Sequence, residues 1–325
     1  SELGAMRMER TRKVLDKTDL ALLVIGADGA GAPEEEWLSY IKERNIPVVG
    51  VQNKIDLVQD AEKLAEELAK RWKIPFVCAS AATGAGIEKV KAAVVEHAPQ
   101  DFELSSITGH LVEAGDSVLL VMPQDMQAPK GRLILPQVQV TRDLLDIGAV
   151  ITSCTTERLC DALDALREPP KLIITDSQVF PYVFGHKPEA SLLTSFSVLM
   201  ARYKGDVGAF REGAEQVDRL TEKDRVLIAE ACTHNPLDGD IGREKIPKLL
   251  RKKVGEGLQI DIVGGSNFPE DLSGYSLIVH CGGCMFNRRY MLNRIRAAKG
   301  QNVPITNYGI LLAKLGGILE HITTD

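Results

Sequence analysis

Two periodicities alternate along the first hundred residues. Apolar runs at Leu20 to Ile25, Val48 to Gln52 and Pro75 to Ala79 read as strands, while Glu34 to Arg44, Ala61 to Trp72 and Gly86 to His97 carry apolar residues at helical spacing. Three β-α steps in succession predict a parallel sheet with helices on its faces. Pro99 and Asp101-Phe102-Glu103 interrupt the pattern and predict a linker. Beyond it, Ser117 to Met122 and Ala149 to Ser153 read as strands, and Val138 to Leu145 and Glu157 to Leu166 as helices. Pro169-Pro170 is a second punctuation mark. After it strands recur at Leu172 to Thr175, Val226 to Ala231, Ile260 to Val263, Leu277 to His280 and Pro304 to Asn307. The expectation is an α/β protein of three units with parallel sheets, divided at 1–98, 99–168 and 169–325. The middle unit, roughly 65 residues long, is marginal alone and is expected to pair with a second copy of itself. No internal repeat, low-complexity tract or sustained heptad is legible.

With 325 residues, 44% hydrophobic and 26% charged, the chain has the balance of a protein that buries cores. No apolar stretch approaches the roughly 20 residues of a membrane span, and no leader is apparent, so a cytoplasmic location is expected. A net charge of -6 argues against nucleic acid as the main partner. Six cysteines, with one C-x-x-C pair, point to metal or redox use rather than a disulfide framework.

Asn53-Lys54-Ile55-Asp56 stands at the carboxyl end of a strand, where open α/β sheets bind ligands. The Asp56 carboxylate suits the N1-H and amine of guanine, which adenine does not offer. Asn53 is expected to brace the base and the neighbouring loop, and the stem of Lys54 to cover one ring face. The next strand ends in Cys78-Ala79-Ser80-Ala81-Ala82-Thr83-Gly84, which resembles the small-residue loop by which GTPases offer backbone N-H groups to the guanine carbonyl. Glu2-Leu3-Gly4, Arg10-Thr11-Arg12 and Lys17-Thr18-Asp19-Leu20 resemble the stretch after the second switch loop of Era-like and tRNA-modifying GTPases. On that likeness the phosphate loop and switches lie before Ser1, so the chain as given is expected to lack the parts that hydrolyse GTP.

Cys232-Thr233-His234 and His280-Cys281-Gly282-Gly283-Cys284 each follow an apolar strand. Two such strand ends in one sheet converge on a shared crevice. Three thiolates with up to two imidazoles suit either a Cys3His zinc site or a 4Fe-4S cluster with an exchangeable fourth ligand. A domain with ample apolar strands needs no structural zinc, which favours a functional cluster.

C-x-H followed by H-C-x-x-C behind a GTPase domain and a middle domain resembles the HydF family, the GTPases of iron-only (FeFe) hydrogenase maturation. That resemblance covers essentially the whole chain. It implies a 4Fe-4S cluster on Cys232, Cys281 and Cys284, with His234 and His280 as first and second candidates for a fourth ligand. It further implies GTP with Mg2+ and, as an option, K+. A diiron precursor is the cargo, received from radical-SAM maturases and delivered to apo FeFe hydrogenase, and the middle domain makes a homodimer. The rival readings are a zinc-stabilised regulatory GTPase that binds a protein or RNA, and an electron-transfer enzyme, which lacks a dinucleotide fingerprint.

The remaining candidates have plainer readings. Cys154 and Cys160 are expected in the core, Cys78 in packing beside the guanine loop, and His97, His110 and His321 at the surface. His186 is expected on a loop of the cluster-binding domain. Two basic groups, from Arg243 to Lys253 and from Arg288 to Arg296, read as solvated helix faces, the second able to attract an anionic diiron unit.

Overall fold

The computed structural model describes residues 8, 11, 14–99, 106–123, 132–231, 240–265 and 267–324. They fall into two compact units, 1–104 and 105–325.

In the first unit β1 (Ala21–Ile25), β2 (Val48–Gln52) and β3 (Phe76–Cys78) pair in parallel in the order β1-β2-β3. Each is followed by a helix: α1 (Ala32–Glu43), α2 (Ala61–Trp72) and α3 (Ile87–His97). The central strand β2 is buried throughout, whereas the edge strand β1 leaves Leu22 and Val24 exposed. Gly50 is a glycine for a packing reason: a Cβ there would lie 2.4 Å from the Phe76 ring.

The second unit holds two four-stranded parallel sheets. One is built from β4 (Ser117–Val121), β5 (Val150–Cys154), β6 (Leu172–Thr175) and β7 (Leu192–Ser195), in the order β5-β4-β6-β7. The other is built from β8 (Arg225–Ala229), β9 (Gln259–Val263), β10 (Leu277–His280) and β11 (Ile305–Asn307), in the order β9-β8-β10-β11. Its helices are α4 (Leu135–Ile147), α5 (Leu159–Asp164), α6 (Phe180–His186), α7 (Phe196–Lys204), α8 (Val207–Glu215), α9 (Ile246–Val254), α10 (Arg288–Gly300) and α11 (Tyr308–Leu315).

Placing β6 and β7 beside β4 corrects the sequence-based expectation for Leu172 to Thr175. Pro169-Pro170 does not separate two sheets; it ends a connection inside one.

The two sheets share one topology and one register. Val118 pairs with Leu172 as Val226 pairs with Leu277, and Thr175 pairs with Ser195 as His280 pairs with Asn307. The likeness extends into the last helices. Ser195 and Asn307 each cap a helix by accepting from the residue three ahead, Val198 and Ile310, and each is followed by an aromatic residue. An internal repeat is therefore present where none was legible. Its signature lies in register and polarity rather than in shared letters.

Alternation within the strands explains the layering. Leu119, Val121, Ile173 and Leu193 from one sheet, and Leu227, Ala229, Ile278 and Ile305 from the other, enter one common core. Their neighbours Val118, Leu120, Leu172 and Ile174 line a second core, and Val226, Ile228, Leu277 and Val279 a third. Strands covered on both faces read as continuous apolar runs, as these do.

Candidate functional site

The C-x-x-C segment begins where β10 ends, at the crevice where strand order reverses around β8. Cys281 donates its backbone N-H to the Ala229 carbonyl at 3.0 Å, so the loop is pinned to the end of β8. Its Sγ accepts N-H groups from Ala231 at 3.0 Å and from Gly283 at 3.4 Å. Ala231 is the residue before Cys232, so the strand leading to Cys232 is fastened to the Cys281 sulfur itself. Cys232 and His234 lie outside the described residues. Among the described residues no group of three His, Cys, Asp or Glu side chains gathers to hold a metal.

Burial pushes the Cys281 thiol up to about 11, against the pull of the two amides and of the Arg294 charge. A thiol held neutral by burial, yet already aimed at by amide donors, suits a sulfur that ionises on meeting a metal. The donor set and its preformed hydrogen bonds fit a thiolate-bound metal group. Gly283 supplies the turn with φ of 61°, and a Cβ there would stand 2.6 Å from Met291 Sδ.

His280 is fully buried at the last position of β10. Its Nε2 lies 2.8 Å from Arg294 Nη1 and its Nδ1 lies 2.7 Å from the Cys281 carbonyl. A guanidinium only donates, so Nε2 accepts and Nδ1 carries the proton given to Cys281. Burial and the Arg294 charge push its pKa down to about 3, which keeps the imidazole neutral. Both ring nitrogens are thus committed within the protein.

Two cations lie under this loop, and sequence reasoning missed both roles. Arg294 is 3% exposed, stacks with its guanidinium carbon 4.6 to 4.8 Å from the rings of Phe268, Phe286 and Tyr290, and donates to His280. It is not on a solvated face. It shares a helical stripe with the buried Tyr290, Met291, Ile295 and Ala298, and a charge in that phase was the available signal. Lys204, at the end of α7, is 7% exposed and donates from Nζ to the carbonyls of Cys284 at 2.9 Å and Gly283 at 3.3 Å. Arg288 is also structural, giving Nη1 to the carbonyls of Tyr203 and Gly205, both at 3.1 Å.

Beside the crevice, Glu230 is buried and paired with Arg243 at 3.0 Å. The hydroxyl of Tyr308 is buried with no hydrogen-bond partner among the described residues. His186 ends α6, its ring 4.3 Å from Tyr182, and makes its bond to the Tyr182 carbonyl. Cys160 is exposed, against the expectation of a core residue, because the helix turn that carries it faces outward. Cys154 packs against the common core.

In the first unit the two guanine-type loops adjoin at the ends of β2 and β3. Asn53 Oδ1 accepts the Ala81 N-H at 3.1 Å, and Ile55 donates to the Ala79 carbonyl at 3.3 Å. Lys54 takes a φ of 60°, and both Lys54 and Asp56 are exposed. Ser80 is buried, its Oγ accepting the Thr83 N-H at 3.2 Å, which curls the loop. Cys78 bonds the Ala61 carbonyl through Sγ at 3.6 Å, and burial raises its pKa. Asn53 therefore braces the Ser80-Ala81 loop and leaves Asp56 open to solvent.

Residues 7–100 match the GTP-binding domain family of elongation factor Tu. The translation initiation factor IF-2 of Francisella tularensis subsp. holarctica (strain FTNF002-00 / FTA) is 38% identical over 88 residues, covering 24% of this chain and 10% of that protein. IF-2 of Buchnera aphidicola subsp. Acyrthosiphon pisum (strain Tuc7) is 32% identical over 144 residues, covering 41% of this chain and 16% of that protein. The chain thus spans only about a tenth to a sixth of these curated relatives. Residues 107–205 match the hydrogen maturase F dimerization domain and residues 208–324 its tetramerization domain, and each match holds one of the two sheets of the repeat. Since these two matches adjoin and together take in well over half of the sequence behind a GTP-binding domain, the chain belongs to the hydrogen maturase F family.

Proposed function

We propose that this protein is a hydrogenase maturation scaffold that binds a 4Fe-4S cluster through Cys232, Cys281 and Cys284. The observation that carries the reading is the Cys281 sulfur, held by the amides of Gly283 and of Ala231, the immediate neighbour of Cys232. When bound, the cluster supplies an exchangeable iron position on which a diiron precursor docks. The chain's own residues would fix the Cys281 sulfur through the Ala231 and Gly283 N-H groups and leave one iron position free for exchange. His234 is the candidate for that fourth place. His280, with both nitrogens engaged, orients the Cys281 carbonyl instead.

Guanine nucleotide is read by Asp56, with Asn53, Lys54, Ser80 and Ala81 shaping its loops, and the nucleotide state biases contacts with partners rather than supplying chemistry to the cluster. Those partners are the radical-SAM maturases that load the diiron unit and the apo hydrogenase that receives it. A homodimer forms through residues 107–205. In support, edge strand β5 and helix α4 leave Val150, Leu145, Val138 and Leu135 exposed. No helix among the described residues is long and apolar enough to cross a membrane.

The test is anaerobic reconstitution with iron and sulfide, followed by metal analysis and electron paramagnetic resonance of the reduced chain, comparing the parent with Cys281→Ala. A cubane signal lost in the variant is the expected result. Stoichiometric zinc without a cluster signal would replace this reading with a zinc-stabilised regulatory GTPase.

A further inference from the structure

Buried cations need a reason. An ammonium or guanidinium taken out of water costs several kcal/mol unless an opposite charge compensates it. Lys204 and Arg294 are both buried, and among the described residues neither has a carboxylate partner. The buried acids Glu230 and Asp240 are engaged elsewhere, Glu230 with the Arg243 guanidinium and Asp240 with the N-H groups of Gly242 and Arg243. Carbonyl oxygens and aromatic faces solvate the two cations in part, through Cys284, Gly283 and Gly265 and through Phe268, Phe286 and Tyr290. None of these carries charge.

The two cations approach the same loop from different repeats. Lys204 reaches it from α7, inside the segment matched by the dimerization domain, and holds the carbonyls of Gly283 and Cys284. Arg294 reaches it from α10, inside the segment matched by the tetramerization domain, and acts through His280 on the Cys281 carbonyl. A loop bearing two cysteines between two uncompensated cations is complementary to an anion seated on those sulfurs. Three thiolates outweigh the charge of a cubane core, so the loaded site is anionic and gains a further negative charge on reduction.

We propose that Lys204 is a positioning and charge-compensating residue for the cluster, supplied across the repeat boundary by the dimerization domain, and that with Arg294 it stabilises the reduced cluster. The inference rests on the scaffold reading given above. It assigns the dimerization domain a part in the metal site. Reduction potentials of iron-sulfur centres follow local charge and hydrogen bonding, so removing one buried positive charge makes the cluster harder to reduce.

The experiment is a redox titration of the anaerobically reconstituted full chain, followed by electron paramagnetic resonance, for the parent, Lys204→Met and Lys204→Arg. Iron and sulfide contents and melting temperatures are measured alongside. The expected result is a midpoint shifted to more negative potential in Lys204→Met and restored in Lys204→Arg. A parental midpoint in a folded, loaded Lys204→Met chain overturns the proposal and leaves the scaffold reading standing. So does an arginine variant displaced as far as the methionine one, since packing rather than charge would then be responsible. If Lys204→Met does not keep the parent's melting temperature, Lys204→Gln takes its place under the same criteria. A parent that takes up no cluster removes both the scaffold reading and this proposal.

Discussion

Single residues in the C-x-x-C loop hold conformations that few side chains tolerate. Gly283 combines a left-handed φ of 61° with a Cβ position 2.6 Å from Met291 Sδ. Gly283→Ala is expected to cost about 1 to 2 kcal/mol from the backbone alone, read as a lower urea midpoint, and to lower iron uptake because the Gly283 N-H that Cys281 Sγ accepts is displaced. At the nucleotide loop, Asp56→Asn replaces an acceptor by a group that also donates, so guanine nucleotide affinity measured by calorimetry should fall about tenfold or more, a loss of ~1.4 kcal/mol. At Asp218, hydrogen bonds from Lys253 and Lys314 hold the carboxyl down from 3.8 to about 2. A depressed carboxylate contributes stability that is present above its ordinary pKa and lost as pH falls through the folded value. The stability gap between the parent and Asp218→Asn should therefore shrink between pH 3.8 and about 2 and be flat above it, as followed by urea unfolding at each pH.

At the scale of elements, the paired caps offer a comparison internal to the chain. Ser195→Ala removes the cap on the Val198 N-H, at about 1 kcal/mol, and also the buried hydroxyl bond between Ser195 and Ser177 at 2.8 Å. Asn307→Ala removes the equivalent cap and the bond from Nδ2 to the Ser197 carbonyl at 3.1 Å, so each variant loses a cap and a second bond and the two urea midpoints should fall by comparable amounts. Strands proved legible because burial on both faces writes them as unbroken apolar runs: β2, β4, β6, β8 and β10 all lie within a residue or two of their expected limits. The segment from Phe180 to Glu215 gave no equivalent reading. Helix α7 is buried on several faces, between the common core and the second one, which erases the polar stripe that marks a helix, and β7 is only four residues long. The motif spacings at Asn53 to Asp56 and Cys281 to Cys284 were visible because turn chemistry is local. Arg294 and Lys204 were read as surface charge or passed over, because their burial depends on neighbours far away in sequence.

Considered whole, the molecule joins a repeat to a nucleotide domain. The exposed apolar edge at β5 and α4 predicts that Val150→Lys shifts the chain from dimer to monomer, observable by sedimentation velocity, with little change in melting temperature because Val150 is 58% exposed. Retention of the dimer in that variant would move the interface to another face.

Sequence alone determined the α/β class, most strand positions and the two motif-bearing loops, since these depend on apolar runs and on residues a few positions apart. Only the tertiary structure decided that β6 and β7 join the middle sheet, that the two sheets repeat one register, and that His280 is committed on both nitrogens. Strand order and charge burial are set by which distant segments pack together, and that information is spread over the whole chain rather than held in any one stretch of it.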